Sequence, residues 1–79
     1  MATSVSPARH AALLAVLRAQ VYCDENGKQH RPAGVNPTSL TAAFTVGLCR
    51  WAGFRCDDLL GHNIDTAELT DAGRRAVAR

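Results

Sequence analysis

Lysine is almost missing from this chain: of its nine basic residues, all but Lys28 are arginine. Large aromatics are also scarce, with one Trp, one Tyr and two Phe in 79 residues. A core built from so few bulky side chains gains only a few kcal/mol net, so a second copy of the chain is a natural supplement. No apolar run approaches the roughly 20 residues of a membrane-spanning helix, which argues against a membrane partner. The first apolar run follows Pro7, Arg9 and His10, without the shape of a secretion signal. A cytoplasmic location is therefore expected, with the three cysteines as free thiols.

Further absences narrow the chemistry. The six glycines stand singly, at positions 27, 34, 47, 53, 61 and 73, so no phosphate-cradling loop is present. Cys23-x6-His30 and Cys49-x6-Cys56-x5-His62 lack the two-to-four-residue ligand spacing of zinc knuckles, and buried packing accounts better for the thiols. No metal or other cofactor is expected. Asp57-Asp58 are adjacent in a turn rather than facing across a cleft, and no cysteine stands at a spacing that pairs it with a base. The chain is not expected to be an enzyme.

What is present is a set of helix signals in a single domain spanning residues 1–79, with residues 1–5 expected to be frayed. Ser6-Pro7 is a cap followed by a first-turn proline, and no breaker follows until about Val21. Leu13, Leu14, Leu17 and Val21 form its apolar stripe, while Ala8, Ala12, Ala15 and Ala19 form a small-residue column. That column either admits a close neighbouring backbone or is simply good helix former on an exposed face. Residues 22–37 carry Asn26-Gly27, a strong turn signal that either closes a short hairpin or lies within a loop. A middle helix is expected over 37–52, ended by Gly53, with Leu40, Phe44, Gly47, Leu48 and Trp51 on its apolar face. Its opposite face is small and uncharged: Thr38, Thr41, Ala42, Thr45 and Cys49. A short β-element is expected before the last helix, which Thr70 caps, with Asp71 in its first turn and Arg74, Arg75 and Arg79 beyond.

The segment Leu48-Cys49-Arg50-Trp51-Ala52-Gly53-Phe54, followed later by Leu69-Thr70-Asp71-Ala72-Gly73-Arg74, resembles the second half of a winged-helix domain, in particular the MarR-type transcription regulators. About 30 residues carry the likeness. It implies a mainly α fold with a small β-hairpin, a truncated winged helix-turn-helix, working as a homodimer on double-stranded DNA. By that resemblance Thr38, Ser39, Thr41, Thr45 and Arg50 would enter the major groove, with Arg55 and His62 on the wing and Arg74 and Arg75 on phosphates. Ala8, Ala12, Ala15, Ala19 and Val77 would form the dimer interface. The same residues leave a second reading open, a protein-interaction module that docks the middle helix or the alanine column on a partner. Duplex binding would weaken steeply with salt, and protein docking would not.

Overall fold

The first helix begins where its cap predicts. The computed structural model describes residues 6–78, so the expectations for residues 1–5 and for Arg79 lie outside the described residues. Helix α1 spans Pro7–Leu17, with the Ser6 side chain accepting from the Arg9 amide at 3.2 Å. It stops short of Val21 because Ala19 turns left-handed, at φ 56. The Ala19 amide then donates to the Val16 carbonyl and the Gln20 amide to that of Ala15, a paired closure of the last turn. Glycine normally takes that position, because a Cβ costs about 1 kcal/mol there. Ala19→Gly is accordingly expected to raise stability by about 0.5–1 kcal/mol, read from the urea midpoint; a lowered midpoint would contradict the account.

Strands β1 (Tyr22–Cys23) and β2 (Gln29–His30) form a hairpin, so the hairpin alternative for the Asn26-Gly27 turn is the one observed. Asp24 Oδ1 accepts from the amides of Asn26 and Lys28, and Gly27 takes φ +82. Helix α2 covers only Pro37–Thr45, capped by the Asn36 side chain, and not the 37–52 expected. Gly47, at φ +81, closes it as Leu48 donates to the Ala43 carbonyl and Gly47 to that of Phe44. The next residues form strand β3 (Cys49–Asp57), which returns as β4 (His62–Leu69) and leads into α3 (Asp71–Val77).

Among the described residues the result is a mixed α/β fold, three helices and a four-stranded antiparallel sheet in the order β2-β1-β4-β3, and not the expected mainly α winged helix. Leu13 and Val16 of α1, Leu40 and Ala43 of α2, Val21, and Cys49, Ala67 and Leu69 of the sheet form one buried cluster. The α1 stripe is also turned from its expected position. Ala12 and Ala15 are buried with Leu13 and Val16, while Leu17 is exposed.

One irregularity sets which way the hairpin's aromatics face. Trp51 pairs with Ala67 and Phe54 with Asp65, so Ala52-Gly53 form a bulge opposite one residue. Ala67 and Asp65 lie two apart on β4 and share a face, which places Trp51 and Phe54 together on one side of the hairpin. Asp65 Oδ1 accepts from the Gly53 amide at 2.8 Å and holds the bulge.

Candidate functional site

The residues expected to read DNA do not converge. Thr38, Ser39, Thr41 and Thr45 lie on α2, but Arg50 has moved to β3. Thr38, Thr41 and Thr45, with Pro37, Ala42 and Val46, line a shallow depression of about 520 Å³ along the outer helix face. Its lining is nearly all methyl and methylene groups. The Thr45 hydroxyl donates to the Thr41 carbonyl at 3.0 Å, folded back onto its own helix. Arg50 Nε is occupied by Glu68 Oε1 at 2.7 Å. Arg55 and Arg74 do share one depression, with Leu17, Ala52, Thr66 and Glu68. Arg74 lies 3.9 Å from Asp71, and Arg75 is exposed on α3. His62 sits on β4 with Nδ1 3.2 Å from the Asn63 carbonyl and 4.0 Å from Glu25.

The expected dimer surface is likewise divided. Ala8 is exposed and Ala19 lies beyond the helix, but Ala12 and Ala15 belong to the chain's own core. Val77 packs half-buried against that core. The column is therefore interrupted at its two central positions, which cannot meet another copy.

Among the described residues, no group of three or more His, Cys, Asp or Glu stands together to hold a metal. His30 is engaged by Asp24 at 2.8 Å and stacks on Tyr22 at 4.6 Å between ring centroids. The His30 hydrogen bond, helped by the Lys28 amide, draws the Asp24 carboxyl below the usual carboxylate range. Cys23 is half-buried, Cys49 buried and Cys56 exposed. Burial pushes the Cys49 thiol up to about 11, since a thiolate there would lose its hydration. A thiol reagent at neutral pH is expected to label Cys56 readily and Cys49 only after denaturation. Mass mapping of labelled peptides checks this order, and early labelling of Cys49 would contradict the packing described.

The surface of the hairpin was not anticipated. Trp51 is 37% exposed, Phe54 58%, Leu60 44% and Leu59 98%. Trp51 stacks on Phe44 at 4.8 Å between centroids, which anchors the aromatic row to α2. At the far end Asp57 Oδ1 accepts from the amides of Leu59 and Leu60, fixing the turn that presents both leucines. The legible signal was Leu59-Leu60 itself, since an apolar pair in a tight turn has no local structural reason. No described helix is long and apolar enough to cross a membrane.

Neither family models, curated proteins nor solved structures yield a match to this chain.

Proposed function

We propose that this protein is a non-enzymatic interaction module that docks a partner protein through its β3–β4 hairpin. The carrying observation is the run of large apolar side chains, Trp51, Phe54, Leu59 and Leu60, left in water along one projecting element. A single exposed leucine needs no explanation, but several large apolar side chains exposed on one hairpin mark a contact site. Covering the exposed part of these side chains is worth up to about 2 kcal/mol at Leu59 and about half that at each of the others, enough for a small patch to contribute much of an interface's affinity.

Double-stranded DNA is the competing partner. Helix α2 carries no cation, Arg50 is paired with Glu68, and the hairpin turn bears Asp57 and Asp58, which repel phosphate. Those charges favour protein over DNA.

The test uses the triple variant Phe54→Ser, Leu59→Ser, Leu60→Ser, whose sites are exposed and whose fold is expected to survive. The variant should lose on the order of a hundredfold or more in affinity for a protein that wild type retains stoichiometrically. Equal retention by both, or duplex binding by wild type that falls steeply with salt, would overturn the reading.

A further inference from the structure

We propose that the partner met by the hairpin is a second copy of this chain, paired antiparallel along the free edge of β3 so that Arg50 faces the partner's Asp57. This rests on the reading of the hairpin as a docking element and names its occupant. Strand β3 is the terminal strand of the sheet and has nine residues, whereas the opposite edge, β2, has two. Natural edges are usually blunted by shortness, proline, lysine or a bulge, and of these β3 carries only the Ala52-Gly53 bulge. This edge, Cys49-Arg50-Trp51-Ala52-Gly53-Phe54-Arg55-Cys56-Asp57, has no proline and no lysine.

The faces restrict how two such edges can meet. Directly opposed residues share a face, and the bulge places Cys49, Trp51, Phe54 and Cys56 on one side and Arg50, Arg55 and Asp57 on the other. Two extensive registers satisfy this. One sets Arg50 against the partner's Arg55 twice over, with like charges in direct opposition. The other sets Arg50 against the partner's Asp57, Trp51 against the partner's Cys56, Ala52 against the partner's Arg55, and Gly53 against the partner's Phe54. Every pair in the second register is opposite in charge or matches a large side chain to a small one, and an aromatic over a strand glycine is a recognised stabilising pair.

Charge continues the pattern across the join. Glu68 of β4 already holds Arg50 at 2.7 Å, and His62 is the β4 neighbour of Asp57. In the paired sheet one row would read Glu68, Arg50, the partner's Asp57 and the partner's His62, so that each arginine lies between two carboxylates. Asp57 keeps its turn-capping role through Oδ1, and its second oxygen is left for the arginine. Opposite-charge pairs of this kind stabilise a ladder and like pairs weaken it.

Sedimentation equilibrium and disulfide trapping test this on the full chain. Wild type is expected to dimerise, and Arg50→Asp, which sets two carboxylates opposite each other at both ends of the join, should weaken dimerisation on the order of tenfold. In Trp51→Cys, mild oxidation should give a covalent dimer linked from position 51 of one copy to Cys56 of the other. Within one strand those positions are roughly 16 Å apart, beyond the reach of a disulfide. A chain that stays monomeric at its highest soluble concentration overturns the proposal, as does a dimer that Arg50→Asp tightens, the mark of the register in which Arg50 faces the partner's Arg55. If the chain is monomeric yet Phe54→Ser, Leu59→Ser, Leu60→Ser still abolishes binding of another protein, the self-pairing fails and the docking reading stands. If it is monomeric and that variant changes nothing, both fail.

Discussion

Gly73→Ala is expected to cost about 3 kcal/mol or more, Gly73 being the one of the six glycines whose added Cβ meets another atom within 4 Å. A Cβ built at Gly73 would overlap the Leu48 carbonyl oxygen, lie 3.0 Å from its carbon and 3.2 Å from Leu69 Cδ2. The obstacle is backbone, so no rotamer change relieves it. Helix propensity alone would favour alanine by about 1 kcal/mol, and the clash outweighs that gain. The position matters because α3 lies directly on the turn that links α2 to β3. Thr70 donates its hydroxyl to the Gly47 carbonyl at 2.6 Å and its amide to the Leu48 carbonyl at 3.1 Å, while its Oγ1 accepts from the Gly73 amide. Lifting α3 away breaks this node and loosens the root of the hairpin. Urea unfolding measures the loss, and an unchanged or raised midpoint would show that α3 does not sit this close.

Leu40→Ala is expected to cost about 3 kcal/mol, with a fall in Tm of roughly 10–20 °C. Leu40 is fully buried, as is Leu13 across the α1–α2 contact, and these two with Val21 are the largest side chains sealed from water. A chain of this size has a total stability of about 4–12 kcal/mol, so a single truncated leucine removes much of it. Leu17→Ala makes the control. Leu17 is 55% exposed, and its truncation should cost about 0.5 kcal/mol or less. Equal melting shifts for the two variants would mean that α1 presents the stripe first read from its periodicity rather than the face described.

Those two helices also show how far the sequence could be read. Local signals with a local mechanism were legible: the Ser6-Pro7 start, the Asn26-Gly27 turn and the Thr70 cap. The extent of α2 was not, because Leu40, Phe44, Leu48 and Trp51 keep a helical period straight through the Val46–Leu48 turn. What ends the helix is partly distant in sequence, since Thr70 captures the carbonyls of Gly47 and Leu48. The strand that follows hid its period of two, because the Ala52-Gly53 bulge interrupts the alternation between Trp51 and Phe54. With residues 49–52 read as the end of a helix, a mainly α fold is expected and the Leu69–Arg74 match points to a winged helix. A helix over 37–52 makes the threonines its uncharged face and leaves Leu59-Leu60, in the turn beyond, as the one apolar sign of the hairpin.

The central claim is that the hairpin, not α2, is the contact surface. Hydrogen–deuterium exchange of the chain, dilute and at a concentration that saturates its partner contact, tests this most directly. Protection concentrated over residues 49–60, with 37–46 exchanging as in the free chain, is the predicted result. Protection over 37–46 with the hairpin unchanged, or the same footprint produced by duplex DNA, would contradict it.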